Sequence, residues 1–186
     1  MSLSTALLLW TSLGLVAACG REPPPAPAAP VTRSTTPLKV AVPMFDEVAI
    51  DDGAVLIMDG GIHGVQGHTL AIPATGAVQW ERRLDGMQPS GKAGKGEFAL
   101  TADEARRVAM WRDQLWKRAP TGNASFSPPP SEGVPRWVWA IVLRQGDQAR
   151  VLSGGAMESP AGAPSEAADA LRWLVTRVDA ASQAAP

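Results

Sequence analysis

The 186-residue chain has one cysteine, two histidines, three phenylalanines and no tyrosine, and its 17 basic and 18 acidic side chains leave a net charge of only -1. Each shortage removes a class of function. A single thiol cannot build an internal disulfide framework, and with only two imidazoles beside it a zinc site of the usual Cys/His type cannot be assembled. The near-neutral balance lacks the clustered basic surplus of a nucleic-acid binder and offers no electrostatic adhesion to an anionic bilayer. With 45% hydrophobic and 19% charged residues, what remains is an ordinary globular composition, sized for one domain with appendages.

Charge is also missing locally. Met1 to Ala18 contains no charged side chain, and Leu3, Ala6, Leu7, Leu8, Leu9, Trp10, Leu13, Leu15, Val16, Ala17 and Ala18 make it almost continuously apolar. A run of about 18 residues lies at the lower limit for a membrane-spanning helix. It has no basic stop-transfer flank, so it reads as a cleaved export signal, although Met1-Ser2-Leu3-Ser4 carries no Lys or Arg. The run ends in Val16-Ala17-Ala18-Cys19-Gly20. Two small residues before a cysteine at the end of an apolar run resemble the lipobox of bacterial lipoproteins. The resemblance implies cleavage before Cys19, a diacylglyceryl group on its sulfur and an acylated (palmitate-type) new amino end. Two or more acyl chains anchor a protein stably where one does not. Gly20 rather than Asp after the cysteine implies, by the sorting habit of such proteins, the outer membrane, with export into the periplasm on the way.

Residues 19–37 cannot form a core. Prolines at 23, 24, 25, 27, 30 and 37 fix φ and remove backbone donors, so the segment reads as a polyproline-II tether reaching about 3.1 Å per residue. A PxxP docking peptide is the rival reading; it ranks below the tether because such motifs are read mostly by cytoplasmic modules and this stretch adjoins the lipid.

The folded part spans 38–181, followed by a disordered tail at 182–186. Short apolar runs at Lys39–Val42, Ala54–Met58, His68–Ile72 and Ala77–Leu84 predict strands, the last two joined by the turn Pro73-Ala74-Thr75-Gly76, with Val78, Trp80 and Arg82 on one face. Asp85 to Glu97, rich in glycine, predicts a mobile loop. Thr101-Ala102-Asp103-Glu104 matches a capping box, and Ala105, Val108, Trp111 and Leu115 follow at helical spacing until Pro120. After a Pro-rich loop, Arg136–Leu143 and Ala149–Leu152 predict a second strand pair around Gln145-Gly146-Asp147. Pro164 and Ser165 open a last helix with Ala167, Ala168, Leu171, Leu174, Val175 and Val178 as its apolar stripe. The expected fold is α+β: an antiparallel sheet of about four to six strands in the order β-β-β-α-β-β-α, with both helices on one face because each has a single apolar side to cover.

Asp59-Gly60-Gly61-Ile62-His63-Gly64 between two strands, the turn at Gly76, Leu100-Thr101-Ala102-Asp103-Glu104 opening a helix, and then a strand pair and closing helix resemble the emfourin-type (protealysin-inhibitor) domain. The similarity spans about Val55 to Val178. The long Gly/Lys loop at 85–97, the Pro-rich loop at 120–135 and the N-terminal segment depart from that pattern. The resemblance implies an inhibitor of thermolysin-like zinc proteases, with Gly60, Gly61, His63 and Gly64 as binding residues and a secreted metalloprotease as partner.

Other chemistry finds little support. Gly86-Met87-Gln88-Pro89-Ser90-Gly91-Lys92-Ala93 approaches the phosphate-loop pattern, but Ala93 supplies no hydroxyl for Mg²⁺ and Gly94-Lys95-Gly96 cannot continue as the required helix, so no nucleotide is expected. Asp59, His63 and His68 offer a carboxylate and two imidazoles for a metal, yet a turn-tip histidine and a strand histidine without a third are better read as structural, and no metal or other cofactor is expected. Ser90, Ser125, Ser127, Ser131 and Ser153 lie in loops or at strand ends, outside any Gly-x-Ser-x-Gly elbow. Asp46, Glu47, Asp51 and Asp52 read as a solvated loop. Trp111 and Trp173 belong to the core. Trp137 and Trp139 share a sheet face, and would form an exposed ridge suited to a partner if the helices cover the other face. The reading is a non-catalytic binding module, anchored to the membrane by its N-terminal lipid, meeting an unknown envelope protein; the alternatives are the protease inhibitor and a structural or assembly lipoprotein of the envelope.

Overall fold

The computed structural model describes residues 36–60, 65–85, 92–119, 123–126, 136–156 and 163–185. Two short strands, β1 (Leu38–Val40) and β2 (Val48–Ile50), pair with each other. The main sheet is built from β3 (Gly53–Gly60), β4 (Val65–Pro73), β5 (Val78–Asp85), β6 (Gly94–Phe98), β7 (Asn123–Phe126), β8 (Trp137–Gln145) and β9 (Gln148–Ala156), in the spatial order β6-β5-β4-β3-β8-β9-β7. Helix α1 (Ala102–Arg118) separates β6 from β7, and α2 (Ser165–Ala184) closes the domain. The expected α+β architecture holds, with helices packed against a mostly antiparallel sheet.

The central strands are apolar on both faces because both faces are covered. Ala54, Leu56 and Met58 of β3 join Trp139, Ile141 and Leu143 of β8 in the core beneath the helices. The intervening Val55, Ile57, Ala140 and Val142 pack with Val42 and Ile50 from the β1–β2 segment on the opposite, back face. A strand buried on both sides reads as a continuous apolar run and hides its alternation. The back cover is tied down by Arg144, only 3% exposed, whose Nε donates to Gly146 O at 2.7 Å and whose Nη1 donates to Thr36 O at 3.0 Å and Ile50 O at 2.8 Å. Backbone carbonyls thus replace water around a buried cation.

Both helices lie on the front face. In α1 the Thr101 hydroxyl accepts from Glu104 N while the Glu104 carboxylate accepts from Thr101 N, the reciprocal capping box expected from Thr101-Ala102-Asp103-Glu104. Its buried stripe is Val108, Trp111 and Leu115; Ala105, placed on that stripe by spacing, is exposed. Arg150 caps the other end, donating to Ala119 O at 2.6 Å and to Trp116 O, with its guanidinium 4.4 Å from the Trp116 ring centroid. In α2 the stripe is Ala167, Ala170, Leu171, Trp173, Leu174, Val178 and Ser182, so ordered structure continues past the expected boundary at 181.

Two elements depart from expectation. Part of the predicted loop at 85–97 is strand β6, and its glycines are the reason: a Cβ on Gly94 or Gly96 would stand 3.1 or 3.0 Å from the Trp80 indole of the neighbouring strand. The large ring covers the backbone of the small residues, so what looks like loop composition is a flat strand under an aromatic plate. The second is β7, inside the predicted Pro-rich loop, which pairs parallel to β9 and makes the sheet mixed. Phe126 stacks on Trp139 with centroids 6.2 Å apart, and Gly154 admits the close approach: a Cβ there would meet Phe126 O at 1.8 Å.

Candidate functional site

The described titratable side chains are gathered most tightly under the C-terminal half of α2. His68 on β4 and Arg82 on β5 point to the front face, 1% and 6% exposed. Both reach one atom of the helix: Asp179 Oδ1 lies 3.1 Å from His68 Nε2 and 3.0 Å from Arg82 Nε. Arg82 Nη1 donates onward to Lys92 O at 3.3 Å and to Ser182 Oγ at 3.5 Å, while Ser182 Oγ donates to Asp179 O at 2.9 Å. The Trp137 ring flanks the imidazole with centroids 6.5 Å apart. Facing a carboxylate, His68 Nε2 carries the proton; Nδ1 is buried without a hydrogen-bond partner among the described residues. Burial pushes the imidazole pKa below its ordinary value, more than the hydrogen bond and charge of Asp179 raise it, and Arg82 adds to the lowering.

Ser, His and Asp therefore stand together, but not as a catalytic relay. His68 bonds Asp179 and not Ser182, and Ser182, 1% exposed, spends its hydroxyl proton on a helix carbonyl. The cluster fastens α2 to the sheet. Arg82 was visible on the inner face of its strand; Asp179 and Ser182 were not singled out, although their spacing continues the stripe of Val175 and Val178 and was the available signal.

The sequence-derived candidates separate. Cys19, Gly61, His63 and Gly64 lie outside the described residues, as do Ser90, Ser127 and Ser131. Gly60 ends β3 with φ +147, where a Cβ would stand 2.2 Å from Arg136 O, so its role here is the close approach of two strands. Asp59 and His68 sit on opposite faces of the sheet: His68 meets α2, whereas Asp59 pairs with Arg83 over Gly67 on the back. The set Asp59, His63 and His68 is thereby broken, and the described residues hold no group of three ligands suited to a metal ion. Ser125 lies in β7 and Ser153 in mid-strand on β9, fully buried. Gly94-Lys95-Gly96 continues the phosphate-loop-like stretch as strand and not as helix.

The aromatic ridge is corrected. The helices cover the face of Trp137 and Trp139, not the opposite one; Trp139 is 0% exposed and Trp137 is partly buried against the same core. Their shared face is the inner face, since Ile141 and Leu143 continue the same alternation.

What stays open is the back face of β4, β5 and β6, beyond the reach of the β1–β2 segment. Its floor includes Thr69, Ala71 and Gln79 beside exposed Glu81, Lys95 and Glu97, forming a shallow depression of 480 Å³. A second groove of 550 Å³ adjoins the β1–β2 hairpin, bounded by Met44, Asp46, Glu47, Asp59, Glu81 and Arg83. Met44, at φ 65 and 54% exposed, sits on its rim. Glu47 pairs with Lys39 at 3.1 Å. Of the predicted solvated acidic loop, Asp46 and Glu47 line this groove, while β2 separates them from Asp51 and Asp52. No described helix is long and apolar enough to cross a membrane.

Comparison of the chain with models of protein families, with curated protein sequences and with solved structures returned no match.

Proposed function

We propose that this chain is a lipid-anchored protein of the bacterial cell envelope whose α+β domain is a non-catalytic binding module. The observation that carries the reading is the placement of Val16-Ala17-Ala18-Cys19 between an uncharged apolar run and a proline-rich stretch. That order suits export, lipidation and a spacer in turn. A binding role is supported by the open back face, which offers a mixed apolar and charged floor. The partner is an envelope protein of unknown identity. A photo-crosslinking residue at Glu81 on the back face, compared with one at Arg106 on the exposed side of α1, tests the binding role in intact cells. A protein captured from Glu81 and not from Arg106 is the expected result; equal capture from both, or none from Glu81, would overturn it.

The order of Gly60-Gly61-Ile62-His63-Gly64 and the capped helix at Thr101 favours a second reading, an emfourin-like inhibitor of thermolysin-like metalloproteases. Titration of several such enzymes with the purified chain tests it, and undiminished proteolysis at excess chain would remove it. A structural or assembly lipoprotein is the version of the first reading in which the captured partner is an envelope structural or transport component.

A further inference from the structure

The sheet has a distinctive edge. β5 pairs with the inner side of β6 from Val78↔Phe98 to Arg82↔Gly94, and no described strand follows on the outer side. An edge strand presents unpaired N–H and C=O groups, a template for another strand unless its side chains forbid it. β6 reads Gly94-Lys95-Gly96-Glu97-Phe98. The pairing with Val78, Trp80 and Arg82 puts Gly94, Gly96 and Phe98 on the front, and exposed Lys95 and Glu97 on the back. Trp80 lies against both glycines, and β6 itself carries no front-face side chain at those two positions.

The charges decide which strand can be added. A lone lysine on an edge repels indiscriminate pairing, but lysine and glutamate two residues apart, on one face, are complementary to their own reverse. Two antiparallel copies that continue one sheet, helices on the same side, must pair residues of like face. The central options set Lys95 opposite Lys95, Glu97 opposite Glu97, or Gly96 opposite Gly96. The first two place like charges directly across the ladder, which is destabilising. The third sets Lys95 of each copy against Glu97 of the other, and Phe98 against Gly94, whose front side carries the Trp80 indole, so that aromatic surface faces aromatic surface across the seam.

We infer that β6 is a self-association edge, through which two copies of this chain pair antiparallel about Gly96 into one continuous sheet with a two-fold axis. The interface is isologous, as a two-fold requires. Its ladder is only five residues long, so the dimer is weak and concentration-dependent. The inference rests on the described sheet edge and is independent of lipidation and of any other partner on the back face.

Charge reversal tests it in the full-length chain, purified in one detergent and examined by sedimentation equilibrium over a concentration series at low salt. The unaltered chain dimerises; Lys95→Glu and Glu97→Lys each weaken the association constant by about tenfold, because two attractive pairs become two repulsive ones. The double variant restores it. Restoration also controls for folding and for the loss of Lys95 opposite Glu81 within the chain. A monomer throughout the series, single variants that associate like the parent, or a double variant that stays monomeric would each overturn the inference. Register is read separately by mixing Lys95→Cys chains with Glu97→Cys chains under mild oxidation and mapping disulfides by mass spectrometry. Bonds joining position 95 to position 97 predominate in the proposed register; equal or greater yields of 95–95 or 97–97 bonds contradict it.

Discussion

His68 on β4 and Asp179 on α2, 111 positions apart in the chain, meet at 3.1 Å beneath the last helix, and Arg82 joins the same carboxylate oxygen at 3.0 Å. One helix oxygen thereby gathers two buried strand side chains, and the packing of α2 depends on the protonation of His68. His68 is held neutral mainly by burial.

Acid should therefore loosen the domain. With its folded pKa below the unfolded value of about 6.5, His68 takes up its proton in the unfolded chain first. The unfolded state then binds more protons, so stability falls as pH drops from about 6.5 to the lowered folded pKa and is unaffected by His68 above it. Melting temperature across this range checks the prediction: the parent declines, and His68→Gln shows a flatter profile. Glu104 acts in the same direction at lower pH. Partial burial raises its carboxyl, but hydrogen bonds from Thr101 and the charge of Arg177 more than reverse this, so the stability it contributes is lost as pH falls through its lowered pKa.

Removing the carboxylate should cost more than removing the imidazole. Asp179→Ala removes the hydrogen bond to His68 and the ion pair to Arg82, a loss of about 1–3 kcal/mol; the larger penalty of a wholly buried pair is not reached, because the Asp179 side chain is 35% exposed. Urea denaturation measures it, and increased amide exchange confined to the C-terminal half of α2 would mark the effect as local detachment.

Trp139 is needed for its bulk and not for its polar group. It is fully buried, and its Nε1 has no hydrogen-bond partner among the described residues. Trp139→Ala is expected to cost about 3–5 kcal/mol, whereas Trp139→Phe keeps the stack on Phe126 and costs about half as much or less. Chemical denaturation of the two variants distinguishes them; equal losses would mean that the indole N–H matters.

Thr101→Ala removes the hydroxyl from the capping box and is expected to cost about 1 kcal/mol. Thr101→Ser should retain nearly all of it. Thermal melts of both variants suffice, because the site is exposed and no core packing changes.

These particulars show which parts of the fold were legible. The capping box at Thr101 and the apolar stripe of α2 are local patterns, and both formed as read. So did the inner face of Val78, Trp80 and Arg82. The face of Trp137 and Trp139 was ambiguous because β8 is apolar on both sides, and only the positions of the helices and the β1–β2 cover decide which side is which. β6 was hidden by glycines whose strand character depends on Trp80, a residue of another element. The His68–Asp179–Arg82 cluster joins three elements, so no single window of sequence contains it. The proposed lipobox at Val16-Ala17-Ala18-Cys19 is, by contrast, a contiguous motif, and proposing it needs no tertiary structure.

Lipidation of Cys19 is tested most directly by mass spectrometry of the N-terminal peptide from the membrane fraction of expressing cells, beside metabolic labelling with a fatty acid. The account predicts a chain beginning at Cys19, carrying a thioether-linked diacylglyceryl group and an acylated amine, with label lost and processing blocked in Cys19→Ala. A mature chain that retains Met1–Ala18, or begins elsewhere with an unmodified Cys19, would contradict it.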